Sequence, residues 1–260
     1  MNRDIPPLLP QLETDLLEEI FAIVASSPVP SIDWKDRGTA PVGYCEGVAL
    51  AFSTVVRKYL LDYDSAQEQA KANTWNQDKD VLAYYAPQFN DLKMWNHRDG
   101  LETLRHLWVL LYGLGMRESS GNHCEGRDMS ADNVTSDTAE AGLFQTSWNC
   151  HVAHEQMDVL FYEYQQHGAI EQGFMDIFHE GVECDDDDWA NYGGGDGAKY
   201  QSMAKLLPAF ACEFTAVGLR NARQHWGPIN SYEVELRPEV DAMLSEVQAL
   251  FMARDPKDLM

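Results

Sequence analysis

The chain carries its apolar residues mostly at helical spacing. Between residues 12 and 26, Leu16, Ile20, Phe21, Ile23 and Val24 recur at the intervals of a helix face, which predicts a helix. Pro28, Pro30 and Pro41 break the pattern, so 27–41 reads as loop. It restarts over 43–72 as one long helix whose second half turns polar. A short helix over 78–85 is expected to end at Pro87. The clearest stripe runs over 99–118, with Leu104, Leu107, Trp108, Leu111 and Leu114 on one face. Asp99 and Glu102 have the spacing of a capping box. Gly113 and Gly115 thin this helix where another backbone can come close. Residues 119–138 hold few apolar positions and read as loop with room for a small hairpin. The pattern then predicts a short helix over 139–148, helices over 150–168 and 169–180, a loop over 185–197, and final helices over 198–224 and 231–253. Pro238 suits the first turn of the last one. Single helices around one long polar loop predict a mainly α (α+β) fold.

Composition supports a packed protein, since 260 residues with 45% hydrophobic and 11% aromatic content can bury a core. Charge narrows the partners. Against 42 acidic residues stand 19 Lys and Arg, a net of -23, and such a surface repels nucleic acid and anionic lipid. No nucleic-acid partner is expected, and neutral or cationic partners are tolerated. No run of about 18 apolar residues exists, so no membrane span is expected. The opening MNRDIPPLLPQLETDLLEEI has acids and prolines where a secretory signal has an apolar run, so the expectation is a soluble protein of open localisation.

Five cysteines are an odd number and none form CxxC, which removes that class of zinc site. Cys124 and Cys150 bracket the polar stretch and can staple it in an oxidising compartment; five reduced thiols are the alternative. His123, His151, His154 and His179 raise a metal reading, but HVAHE lacks the HExxH order. The Asp185–Asp188 run lacks calcium-loop spacing. No metal and no cofactor are therefore expected. Cys45 reads as a small buried residue at a helix start rather than a nucleophile, and Trp226 can stack on a sugar or pack in the core.

Glu118 ends the clearest helix. There it meets the negative end of the helix dipole beside Leu, Trp and Met residues, and both effects favour its neutral form. A carboxylic acid kept protonated is what glycoside cleavage needs in its general acid. The residues around it read Glu118-Ser119-Ser120-Gly121, then a polar loop, then Gly142-Leu143-Phe144-Gln145. This pairing resembles the lysozyme-like superfamily, particularly goose-type lysozymes and lytic transglycosylases, with Phe144 where Met is frequent. The similarity covers about 35 residues and extends loosely to NYGGGDG at 191–197, where the order is Asn-Tyr and no proline follows.

The resemblance implies a lysozyme-like helical domain over 96–260 with a small β-hairpin region, preceded by a helical extension over 1–95. It implies a glycosidase or lytic transglycosylase acting on a β-1,4-linked amino-sugar polymer, peptidoglycan first. Glu118 would be the general acid/base. Gln145 and Tyr192 would contact the glycan, with Ser119 and Phe144 beside them. Asp132 or Asp137 would place the attacking water, with Glu140 further on, unless a sugar hydroxyl attacks instead. The acidity argues for a cationic or neutral glycan of the chitosan or chitin type as the alternative substrate. A non-catalytic glycan-binding protein on the same scaffold is the reading of a different class.

Overall fold

The first periodic segment folds as α1 (Thr14–Ser26) and buries Leu16, Ile20 and Val24. The structure is a computed structural model and describes residues 9, 12–127, 135–167 and 170–254. The proline-rich 27–41 segment is more than loop. After a 3-10 turn at Val29–Ser31 it forms a hairpin of β1 (Asp33–Trp34) and β2 (Gly38–Thr39), with Asp33 opposite Thr39. The long helix predicted over 43–72 is two helices, α2 (Val42–Leu60) and α3 (Asp64–Ala70). Between them Asp62 takes φ of 60°, and the amides of Asp62 and Tyr63 donate to the carbonyls of Tyr59 and Lys58. This is a Schellman ending, with Asp tolerated in the left-handed position. Apolar spacing alone does not reveal it.

Asp80 caps α4 (Val81–Tyr84), its carboxylate accepting from the Leu82 amide at 3.0 Å. Pro87 does not stop an element here. It lies in the first turn of α5 (Ala86–Asp91), where its missing N–H would have had no helical partner. The central helix is α6 (Leu101–Ser119), almost wholly buried from Thr103 to Met116. Its N-cap is Gly100. Asp99 instead accepts from the Ala72 amide at 2.7 Å, so the predicted capping box is not made. The close approach expected at Gly113 is present, because a Cβ there would lie 2.2 Å from the Glu235 carbonyl oxygen.

The segment 139–148, predicted as a short helix, is an antiparallel hairpin of β3 (Glu140–Ala141) and β4 (Thr146–Ser147). Left-handed backbone at Gly142 (φ 74°) and Gln145 (φ 43°) prevents a helix there. A 3-10 turn at Trp148–Ala153 leads into α7 (Glu155–His167), and α8 (Met175–Phe178) is a single turn. The helix predicted over 198–224 is broken into α9 (Gly195–Leu206) and α10 (Pro208–Asn221), which meet at 115°. Leu207 precedes Pro208 and is pushed out of the helical region (φ -129°, ψ 69°). Then follow α11 (Gly227–Asn230) and α12 (Pro238–Met252), with Pro238 in its first turn as predicted.

The mainly α fold with small β elements matches the reading of the sequence. One apolar core runs from Leu12 to Phe251 and draws residues from both sides of position 95. Helix α2 packs against α1, α8, α10 and α12, which makes it a spine of the molecule. The core also holds charge. Lys58 Nζ lies 2.9 Å from Glu213 and 2.8 Å from Glu163, and the Tyr164 hydroxyl donates to Glu213 at 2.8 Å. Among the described residues, no single helix is long and apolar enough to cross a membrane.

The disulfide joins Cys124 to Cys184, with Cα atoms 6.0 Å apart. The Cys124–Cys150 pairing suggested by sequence is not formed. Cys150 is buried with its sulfur against Gly218 of α10, and Cys45 and Cys212 are likewise buried thiols. Bracketing a loop in sequence did not bring Cys150 to Cys124 in space.

Candidate functional site

Glu118 stands in the last turn of α6, half-buried. One residue later the helix ends, and Ser120 turns the chain away in a left-handed conformation (φ 56°). Ser119 points inward. Its hydroxyl lies within hydrogen-bonding distance of the Leu143 carbonyl (2.9 Å) and the Gly115 carbonyl (3.1 Å), which fastens the end of α6 to the β3–β4 turn. That turn needs glycine at position 142. Its φ is positive, and a Cβ would meet the Ala204 carbonyl oxygen at 2.8 Å. The Gly142 amide donates to the Glu125 carbonyl at 2.8 Å, and the Gln145 side-chain amide donates to the Gly142 carbonyl at 3.1 Å. The two halves of the sequence motif are thus one structure, locked around the glutamate.

A cleft of about 770 Å³ opens in front of Glu118, within the size range of small-molecule and cofactor sites. Glu125, Glu140, Asp187 and Asp188 line it with Glu118, together with the cation Arg127. Gln145, Tyr192 and His225 also line the wall. Tyr192 is 40% exposed, and the Arg127 guanidinium sits 4.2 Å from its ring centre, a cation–π contact. Its amide donates to the buried Gln201 side chain at 2.7 Å, which anchors this wall to α9. His225 Nε2 lies 3.4 Å from both the amide and the hydroxyl of Ser147.

Burial pushes the Glu118 carboxyl up to about 8, and the neighbouring Glu140 charge adds to the rise, against Arg37 and Arg117. At neutral pH Glu118 therefore holds its proton. Glu125 is raised as well, by burial first and then by Asp188. Burial lowers His225, which favours its neutral form. The cleft thus presents a neutral carboxylic acid among other carboxyl groups, an arrangement suited to donating a proton to a leaving oxygen.

Of the residues singled out from sequence, Glu118, Gln145 and Tyr192 come together in the cleft. Ser119 and Phe144 do not line it. Ser119 is 3% exposed and serves as the fastening described above, while Phe144 is 1% exposed and packs in the core, its carbonyl accepting from the Trp226 indole at 3.0 Å. Trp226 itself is buried, so it packs rather than stacking on a ligand. Asp137 is exposed and outside the cleft wall, and its carbonyl accepts from the Asn149 amide at 2.8 Å. Asp132 lies outside the described residues. Sequence reasoning did not place Glu125, Arg127, Asp187 or Asp188 in the site. Glu125 and Arg127 follow closely on Glu118–Gly121, and Asp187 and Asp188 closely precede the 191–197 stretch, a proximity that could have pointed to them. Comparisons with family models, with curated proteins and with solved structures returned no match.

Proposed function

We propose that this protein is a glycosidase or lytic transglycosylase that cleaves a β-1,4-linked amino-sugar polymer, with Glu118 as general acid/base. The observation that carries the reading is a carboxyl group at the wall of an open cleft, with burial pushing its pKa up to about 8. In the first step Glu118 gives its proton to the glycosidic oxygen as the bond to it breaks. Glu140, on the same wall and felt by Glu118 as a charge, takes the part of the second carboxylate that the resemblance assigns to Asp132 or Asp137. Gln145 and Tyr192 contact the sugar.

Peptidoglycan is the first substrate. A specific observation favours a second one: among the described residues five carboxyl groups and one arginine line the cleft, which suits a cationic glycan such as chitosan. Product analysis on purified peptidoglycan and on chitosan tests both, with wild type beside Glu118→Gln. Wild type is expected to release fragments from at least one polymer and the variant from neither. Anhydro ends mean that a sugar hydroxyl attacks, and reducing ends mean that water does. If neither polymer is cut, or if Glu118→Gln cuts as well as wild type, the assignment is wrong.

A further inference from the structure

Two histidines and two cysteines outside the cleft lining converge from segments more than fifty residues apart. The ligand atoms of His123, Cys124 and Cys184 lie within 4.8 Å of one another. His179 completes the group, with its Nδ1 3.2 Å from His123 Nε2 and 3.9 Å from the Cys184 sulfur. We propose that these four residues form a redox-gated site for a divalent transition metal of the zinc class, loaded when Cys124 and Cys184 are reduced and closed when they form the disulfide.

His179 stands beside this three-residue group, and its two distances are close to what a tetrahedral ion requires. Metal–nitrogen bonds of about 2.0–2.1 Å at the tetrahedral angle place two ring nitrogens about 3.3 Å apart, and a metal–sulfur bond of about 2.3 Å puts nitrogen and sulfur about 3.6 Å apart. The observed 3.2 and 3.9 Å bracket those values. The histidine tautomer is also set. His123 Nδ1 faces the Lys205 carbonyl at 2.9 Å, and a carbonyl only accepts, so Nδ1 carries the hydrogen. Nε2 is left as the acceptor, its lone pair aimed at His179 Nδ1. A ligand histidine oriented by a backbone carbonyl through its other nitrogen is a common outer-shell arrangement at metal sites. The His123 imidazole is fully buried, with the Trp189 ring edge-on to it, so its orientation does not drift. Two cysteines and two histidines are a donor set that suits zinc.

The chemistry balances in two steps. A dithiol reductant passes two electrons and two protons to the disulfide, giving two thiols and becoming a disulfide itself. The metal ion then displaces both thiol protons, while the His179 proton moves from Nδ1 to Nε2. In either state the site clamps the 182–194 segment to the residues following Glu118. That segment carries Asp187, Asp188 and Tyr192 of the cleft wall, and Lys205 Nζ holds it further through the Asp188 (2.7 Å) and Ala190 (2.9 Å) carbonyls. The inference does not depend on the glycan-cleaving reading.

Cobalt substitution tests it on the full chain. The protein is reduced with a trialkylphosphine without air, freed of metal, and titrated with Co²⁺ and then Zn²⁺. One equivalent of Co²⁺ is expected to give a thiolate-to-cobalt charge-transfer band that Zn²⁺ displaces, and the oxidised protein is expected to give none. His179→Ala and Cys184→Ser, at exposed and half-buried positions, should each weaken Co²⁺ binding by at least about tenfold. No band in the reduced protein, or a band and affinity unchanged in both variants, overturns the proposal. Should reduction loosen the fold, recovery of helical circular dichroism on adding Zn²⁺ supports it, and failure to recover counts against it.

Discussion

Two groups of carboxylates, one sealed in the core and one at the cleft, contrast in what surrounds their displaced members. In the core, Lys58 lies between Glu163 and Glu213, all three nearly sealed from water. Burial raises Glu163 to about 7, partly countered by Lys58, while Lys58 is held charged by the two glutamates against its own burial. In the cleft, burial raises Glu118 to about 8, but the group meets an open cavity and a second carboxylate. A shifted pKa is therefore not the mark of a site in this protein. Access is. The core triad pairs its charges with one another, whereas the raised Glu118 carboxyl lines a cavity open to a ligand.

The largest expected effect lies in the cleft. Glu118→Gln keeps the shape and removes the proton donor, and glycan cleavage should fall about 10²- to 10⁴-fold. The matching change in the core is Lys58→Met. It leaves two buried carboxylates facing each other and should destabilise the fold by about 3–5 kcal/mol, measured by chemical denaturation. Cleavage per folded molecule should stay at the wild-type level. A Lys58 variant that folds normally but loses activity would undo the separation drawn between the two groups.

Proton linkage provides a third contrast. Below about pH 4.5, the ordinary value for Glu, both folded and unfolded chains hold these protons and nothing is lost. As pH rises further, the unfolded chain releases them while the folded chain keeps them, so stability falls. Glu163 stops contributing to this loss above about pH 7, and Glu118 above about pH 8. Glu118→Gln is free of the second part. Its melting temperature should match wild type below about pH 4.5 and exceed it by a growing margin up to about pH 8. A gap that stays constant across this range means that Glu118 is not held protonated.

How far the sequence reached follows from the kind of interaction concerned. The stripe of Leu104, Leu107, Trp108, Leu111 and Leu114 is local, and it marked α6 and the placement of Glu118 at its end. The motif glycine at 142 was visible, but its reason was not, since the obstructing Ala204 carbonyl is brought there by α9. The apolar run AGLF has the spacing of a helix yet forms a hairpin, because period alone does not register a left-handed Gln145. Long-range pairings were invisible. Cys124 found Cys184 rather than Cys150, and Glu125 and Asp188 entered one cleft from positions 63 residues apart. His123 and His179 were seen as separate histidines, and only the fold sets them 3.2 Å apart.

The smallest effects are the most specific to the cleft. Glu140 and Arg37 act on Glu118 through charge in opposite directions, the first raising its pKa and the second lowering it. If Glu118 is the group whose ionisation ends activity at alkaline pH, the two substitutions must move that limb in opposite senses. Glu140→Gln removes a negative neighbour, so the limb shifts to lower pH. Arg37→Ala removes a positive one, so it shifts to higher pH. Glu140→Gln should also slow the step that needs a second carboxylate, which separates its two roles, since a pH shift and a lower plateau are read from the same kcat profile. A control comes from the core: Glu213→Gln alters the surroundings of Glu163 and Lys58, yet should leave the limb where it was. Shifts of the same sign in the two cleft variants would mean that the limb reports another group, and Glu125, raised by Asp188 and lowered by the same Arg37, would be the next to substitute.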